Sequence, residues 1–306
     1  MARLKQLVRN QNGVPPLRGG HALCQGCGVP MVVRVVLSTI QRPTVVVNAT
    51  GCLEVATTRY PTTAWNVPWL HVAFENTAAV ASGVEAAQRA LARRHALPAD
   101  EEVAVVCFAG DGGTYDIGMQ ALSGALERGH RFLFVCYDNE AYMNTGVQRS
   151  GATPYGASTT TSPSGKESWG KAQRRKDMTA IAVAHHVPYV AQACSVHWDD
   201  LSRKVEKAVA ADGPSFINVL TDCPVGWGHE PRLAPRLLDA AVESKFWPLY
   251  EVVDGQYRVT YEPTREVDVA EWLKPQKRFG HLNDEHIAEI RVQIDADWHE
   301  LLARSA

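Results

Sequence analysis

Asp111 and Asn139 are the residues whose types and spacing most directly imply chemistry. Asp111 sits in Gly110-Asp111-Gly112-Gly113, directly after the apolar run Val103–Ala109. Asn139 follows 28 residues later in Asp138-Asn139-Glu140, at the end of a second apolar run, Phe132–Tyr137. Glycines let backbone approach a bound anion, and the helix expected after them offers unpaired N–H groups and a favourable dipole for phosphate. A carboxylate in such a turn repels phosphate unless a divalent cation stands between them. Mg²⁺ fits that place, because it prefers oxygen ligands and bridges carboxylates to phosphates. The Asn139 amide oxygen, at the end of the strand expected next to that of Asp111, can reach the same ion.

The cysteines form a second constellation. Cys24 and Cys27 make a CxxC flanked by glycines, ahead of a helix expected over Met31–Ile40. Cys52 follows Thr50-Gly51 past the expected strand Thr44–Ala49, and Cys223 follows the expected strand Ser215–Thr221. Four thiolates from loops suit either tetrahedral zinc or a [4Fe–4S] cluster. One CxxC with two distant cysteines fits a cluster at least as well as zinc, and a redox dithiol is disfavoured because no clear strand precedes the pair. Cys107, Cys136 and Cys194 lie in or near apolar strands and read as small core hydrophobes.

The elements that must position these residues alternate as strands and helices. A small-residue helix starts at Thr77, and Pro98–Glu102 turns into the strand before Asp111. After the strand ending at Tyr137, the alternation resumes with helix Met178–His185, strand Val187–Ala191, helix Asp199–Ala211 and strand Ser215–Thr221. This predicts an α/β fold with a mostly parallel sheet flanked by helices. Leu53–Val80 is too irregular for one element and too rich in Trp and Tyr for a solvated linker, so it is expected over a cofactor or a partner chain. Residues 147–176 have the composition of a disordered linker. Their length inside a compact domain instead favours a functional or docked loop. The KAQRRK end of that loop reads as a solvated run or a contact for an anionic cosubstrate. Residues 232–245 are expected helical, Leu249–Val253 and Tyr257–Tyr261 a hairpin about Asp254-Gly255, and Asp284–Leu302 an amphipathic helix. The division expected is 1–230 as the binding domain and 231–306 as a C-terminal arm on the core or on another subunit.

Composition limits the partners. The 306 residues carry 31 basic against 33 acidic side chains, so charge makes no case for nucleic acid or a membrane surface. The basic start MARLKQLVRN does not lead into an apolar core, and no run approaches the ~18 apolar residues of a membrane span. An odd cysteine count without an export signal points to reduced thiols or metal ligation, and a cytoplasmic location is expected.

The Gly-Asp-Gly and the following Asn, each after an apolar strand, resemble the diphosphate motif of thiamine diphosphate enzymes. That resemblance implies Mg²⁺ held by Asp111, Asn139 and the Ala141 carbonyl. It implies cofactor contacts at Gly110, Gly112, Gly113, Thr50, Gly51 and Thr145, with Asn144 near the diphosphate or the reacting carbon. The whole chain resembles the β subunit of pyruvate:ferredoxin oxidoreductase and its 2-oxoacid relatives, oxalate oxidoreductase among them. The matching pieces are CQGCG (24–28), ATGCLE (49–54), AFENTAAVASGVEAA (73–87), GDGGTYDIG (110–118), YDNEAYMNTG (137–146) and CPVGWG (223–228), with FWPLYEV and KRFGHL in the tail. The resemblance implies a thiamine diphosphate-binding fold, a [4Fe–4S] cluster on Cys24, Cys27, Cys52 and Cys223, and oxidative decarboxylation of a small 2-oxoacid. Pyruvate is the favoured substrate, with coenzyme A taking the acyl group and ferredoxin the electrons. It also implies α, γ and δ-type partner subunits, separate or fused. The glutamate that activates thiamine in this family comes from the α subunit, and no glutamate here takes its place; Glu54 and Glu75 lie in family-like segments where structural roles serve equally. Oxalate oxidation without coenzyme A, a redox-silent thiamine lyase with structural zinc, and a non-catalytic electron-transfer subunit are the alternatives.

Overall fold

The computed structural model describes residues 13–94, 96 and 102–306; the basic N-terminal stretch and most of the Pro98–Glu102 turn lie outside the described residues. An eight-stranded sheet organises the chain, in the order β2-β1-β3-β4-β6-β5-β7-β8. Six strands run parallel: β1 (Thr44–Ala49), β2 (Trp69–Val72), β3 (Ala104–Gly110), β4 (Leu133–Asp138), β5 (Tyr189–Cys194) and β6 (Ser215–Leu220). β3, β4 and β6 are near-continuous apolar runs because both faces of a parallel sheet are covered. On one face, α1 (Val29–Thr39) packs against α6 (Trp198–Ala210), joining Val32, Val33 and Val36 to Leu201 and Val205 in one core. On the other lie α3 (Thr77–Arg93), α4 (Met119–Glu127) and α5 (Met178–Val183). Ala78 and Ala81 of α3 are buried against β1 and β3, where their small side chains permit close approach.

The segment expected to be irregular contains α2 (Cys52–Thr57) and the edge strand β2. Four half-exposed residues are too few to show a period, so β2 is visible only through its pairing with β1, Val46 opposite Trp69. β5 starts two residues and ends three residues later than the expected Val187–Ala191, because Gln192–Cys194 continue the pairing with β6 despite the polar Gln192.

β7 (Leu249–Val253) pairs antiparallel with β5, and β8 (Gln256–Tyr261) with β7, so the C-terminal segment extends the same sheet. Asp254 and Gly255 both have positive φ, 47° and 82°, the geometry that a two-residue hairpin turn requires. A third core gathers Trp227, Trp247 and Trp272 with Leu237 and Leu238 of α8 (Ala234–Glu243) and Ile287 and Ile290 of α10 (Asp284–Ser305). Asn283 opens α10 with a reciprocal capping box with His286.

Residues 147–176 fold against the core. Ser150, Ala152, Thr153, Ala157 and Lys171 are buried, and Thr159–Ser162 and Ser164–Trp169 form local bridges. Lys171 Nζ donates to the carbonyls of Ser150, Gly151 and Thr153 at 3.3, 3.2 and 2.6 Å, which fixes the first turn of the segment. The basic end is largely exposed, as a solvated run would be, but Lys171 is buried, Arg175 is half-buried, and its cations are paired within the chain. Arg174 pairs with Asp297, Lys176 with Asp116, and Arg175 with Asp138 and Glu140.

Candidate functional site

The carboxyl ends of β1, β3, β4 and β6, neighbours in the sheet, lead into Cys52, Asp111, Asn139 and Cys223 respectively. In open α/β sheets this edge is where ligands bind. Gly110 of β3 stands opposite Tyr137 of β4, which brings Asp111 and Asn139 side by side. The helix expected after the glycines begins instead with a π turn, Gly112–Asp116. Gly118 closes it; a Cβ there would collide with the Gly113 carbonyl oxygen, so the turn can tighten only around glycine.

One cavity collects these pieces. It is lined by Thr50, Gly51, Cys52, Gly110, Asp111, Gly112, Gly113, Asn139, Ala141, Asn144 and Thr145. Asn144 and Thr145 are exposed at its mouth, whereas Asp111, Asn139 and Ala141 are buried. Thr50 Oγ1 lies 2.7 Å from His71 Nε2, and Thr145 Oγ1 donates to Gln148 Oε1. Phe74, Tyr137, Tyr142 and Met143 complete the wall, and none was singled out from the sequence. Phe74 and Tyr142 meet edge to face at 5.7 Å. Phe74 does come from the aromatic segment expected over a cofactor. Tyr142 and Met143 follow Ala141 directly, and the run YDNEAYMNTG was their available signal.

The oxygen geometry at Asp111 fits a small cation. The position on the Asn139 amide that faces the cavity lies 3.0 Å from Asp111 Oδ1 and 3.1 Å from the Ala141 carbonyl oxygen. With nitrogen in that position, the amide donates to both. With oxygen there, three oxygens converge without a donor. Neighbouring ligands of six-coordinate Mg²⁺, each at ~2.1 Å, stand about 3.0 Å apart. Ser150 Oγ donates to the other Asp111 oxygen at 2.5 Å. Burial and the nearby Asp138 charge push the Asp111 carboxyl well above the usual range, a cost that a bound cation would offset.

Cys52 follows β1 and Cys223 follows β6, and the cysteines are near enough to influence one another's charge: Cys52 and Cys223 each feel Cys24, and Cys27 feels Cys52 and Cys223. None of the seven cysteines is in a disulfide. Burial, with neighbouring Asp222, Cys223 and Cys52 adding, pushes the Cys27 thiol up to about 12; burial and the other cysteines push Cys52 up to about 11. Such thiols ionise only when a positive centre takes the place of their protons. Among the described residues, no group of three or more His, Cys, Asp or Glu is placed to hold a single metal ion. Cys107, Cys136 and Cys194 are fully buried in the core, as expected. Cys223 caps the short helix α7 (Pro224–Trp227), its sulfur accepting from Gly226 N at 3.3 Å. Asp222, also buried, faces His229 Nε2 at 3.5 Å.

A larger cavity, about 390 Å³, opens beneath α10 and is lined by Arg174, Trp247, Tyr257 and Trp298 among others. None of the residues expected from the sequence to bind a cofactor or metal lines it.

Residues 49–219 match the family described as thiamine pyrophosphate enzyme, C-terminal TPP binding domain. The pyruvate synthase subunit PorB of Methanothermobacter thermautotrophicus is 54% identical over 285 residues, covering 93% of this chain and 96% of that one. The chain belongs to this family. It is a β-type subunit of a 2-oxoacid:ferredoxin oxidoreductase, and it carries a thiamine diphosphate-binding domain. The PorB of Methanocaldococcus jannaschii is 52% identical over 90% of this chain and 93% of its own length. The ketoisovalerate oxidoreductase subunit VorB of Pyrococcus abyssi is 41% identical over 92% of this chain and 91% of its own. Among solved structures, the 2-oxoglutarate:ferredoxin oxidoreductase of Magnetococcus marinus matches with a TM-score of 0.57 at 20% identity, over 70% of this chain and 69% of that one, a likeness of fold. No helix among the described residues is long and apolar enough to cross a membrane.

Proposed function

We propose that this subunit binds thiamine diphosphate through Mg²⁺ on Asp111, Asn139 and the Ala141 carbonyl, and a [4Fe–4S] cluster on Cys24, Cys27, Cys52 and Cys223. Its complex then decarboxylates pyruvate oxidatively to acetyl-CoA, with electrons leaving to ferredoxin. The observation that carries the reading is that Cys52 and Asp111 line one cavity. Carbon chemistry and electron removal can therefore share a wall. When bound, thiamine diphosphate supplies an electron sink for decarboxylation, and the cluster accepts electrons singly, which zinc cannot do.

The residues of this chain orient and enclose. Asp111 and Asn139 fix the diphosphate end through the cation, the glycine turn admits it, and Phe74, Tyr142 and Met143 form part of the cavity wall. Thr50, Gly51, Thr145 and Asn144 stand where the rest of the cofactor and the reacting carbon would lie. The activating glutamate is missing from the cavity lining, so the partner α subunit supplies it and this chain alone is inactive. γ and δ-type subunits complete the complex in the cytoplasm, with residues 1–230 as the binding domain and 231–306 as its extension.

Pyruvate is favoured because the PorB relatives at 52% and 54% identity are named for it, whereas the relative named for ketoisovalerate stands at 41%. The test is viologen reduction by the purified complex with pyruvate, 2-oxoisovalerate, 2-oxoglutarate and oxalate, each with and without coenzyme A. Coenzyme A-dependent reduction with pyruvate is expected to be fastest; coenzyme A-independent turnover of oxalate, or a clear preference for another acid, would overturn the substrate assignment.

A further inference from the structure

Asn139 is held between two acidic neighbours that face away from the cavity into the protein. Asp138 Oδ2 accepts from Tyr115 Oη at 2.6 Å and from Arg175 at 2.7 Å, while Asp138 Oδ1 accepts from the Glu140 N–H at 3.0 Å. Glu140 is completely buried. Its Oε1 pairs with Arg175 at 3.1 Å and its Oε2 with Arg278 at 2.5 Å. Glu140 also has φ +71°, a left-handed conformation that strains a side chain with a Cβ and persists only where the surroundings over-determine it.

Arg278 comes from the far end of the chain. Its guanidinium lies 4.2 Å from the centroid of Trp227, and its Nε donates to Gln276 Oε1 at 2.8 Å. Trp227 Nε1 in turn donates to the Asn139 carbonyl at 2.8 Å. Arg278 thus grips both sides of Asn139, through the Glu140 carboxylate and through the indole. The backbone reversal at Glu140 is what lets the Asn139 amide and the Ala141 carbonyl face Asp111 while the intervening side chain points inward. Removing a partner from so buried an ion pair is costly, so the clamp is rigid.

We propose that Glu140 and Arg278 are positioning residues for the divalent-cation site. Glu140 sets the left-handed turn that aims Asn139 and Ala141 at Asp111, and Arg278 makes the C-terminal segment part of that site. The inference rests on the proposed cation role of Asp111 and Asn139. Partners of this kind, one layer behind metal ligands, typically change metal affinity about 10–100-fold.

The test uses the purified complex with Mn²⁺ as the probe, titrated by electron paramagnetic resonance in the presence of thiamine diphosphate, alongside iron content and thermal midpoint. Arg278→Lys keeps the charge but loses the planar stacking and fork geometry. Glu140→Gly relieves the strained φ while deleting the carboxylate. Both variants are expected to weaken Mn²⁺ binding about 10–100-fold, with excess Mn²⁺ restoring cofactor retention and iron content unchanged. Glu140→Gly separates the two explanations, since glycine serves equally well if only the backbone conformation matters. Mn²⁺ affinity within about twofold of the unmodified complex in either folded variant would overturn the proposal, leaving the Asp111 reading intact if Asp111→Ala abolishes binding. An unmodified complex that takes up no Mn²⁺ with thiamine diphosphate would overturn both.

Discussion

Trp227 Nε1 donates to the backbone carbonyl of Asn139 at 2.8 Å, so the helix that Cys223 caps ends against the residue that follows β4. Met143 tightens the same junction, since a Cβ at Gly226 would collide with its sulfur. The cysteine loop and the oxygen cluster are therefore adjacent and share backbone supports, although their ligand sets have no residue in common.

Separate ligand sets imply separable losses. Asp111→Ala should release thiamine diphosphate while the iron stays, and Cys52→Ala should lose iron while retaining thiamine diphosphate. Both are read by cofactor and iron analysis of the folded, anaerobically isolated complex. Loss of both groups from either folded variant would contradict two independent sites.

Trp227→Phe removes the donor to Asn139 and leaves a buried carbonyl without its partner. Such an orphan costs about 1–3 kcal/mol, with lost indole packing added. A lowered thermal midpoint together with weaker retention of thiamine diphosphate is expected; an unchanged midpoint would show that the bond contributes little.

Gly118→Ala places a methyl group against the Gly113 carbonyl oxygen, a backbone atom that cannot move aside cheaply. Overpacking of this kind costs about 1–3 kcal/mol. The variant should unfold at lower temperature and lose affinity for thiamine diphosphate, since the π turn belongs to the cavity wall. Differential scanning fluorimetry with and without the cofactor reads both effects.

Lys171 supplies the pH dependence. Burial, with Arg175 and Arg149 adding, lowers its ammonium from 10.5 to about 8. Between those values the unfolded chain holds a proton that the folded chain has released, so this group's contribution to stability rises with pH across that window and is smallest below it. The midpoint advantage of the unmodified complex over Lys171→Met should therefore grow between about pH 7.5 and about pH 9.5. A constant or shrinking difference would contradict the assignment.

Much of this arrangement was legible in the sequence because chemistry and periodicity coincide at the strand ends. β1 carries the same bounds as its apolar run; β1, β3 and β6 run into a glycine turn or a cysteine, and β4 runs into Asn139. β2 was hidden because four half-exposed residues on a sheet edge have no period. The π turn at Gly112–Asp116 was hidden because it is set by contact between Gly118 and Gly113 rather than by propensity. The burial of Arg278 and Lys171 and the half-burial of Arg175 were also hidden, since charged residues normally read as surface and only the fold brings Glu140 to the two arginines and the Ser150–Thr153 carbonyls to Lys171. Residues 147–176 have a linker's composition, but their length inside a compact domain points to a docked loop, and they do dock, placing Ser150 on Asp111 and Thr153 on the Glu140 carbonyl.

The central claim, a thiamine site and an iron–sulfur site meeting at one cavity lined by both Asp111 and Cys52, is tested most directly by metal and cofactor analysis of the anaerobically purified complex with and without Cys52→Ala. Replacing Cys52 should remove about four iron atoms for each copy of this chain, as expected for one [4Fe–4S] cluster, while bound thiamine diphosphate and Mg²⁺ remain at one per chain. Zinc in place of that iron, or a complex that carries iron here but no thiamine diphosphate, would contradict it.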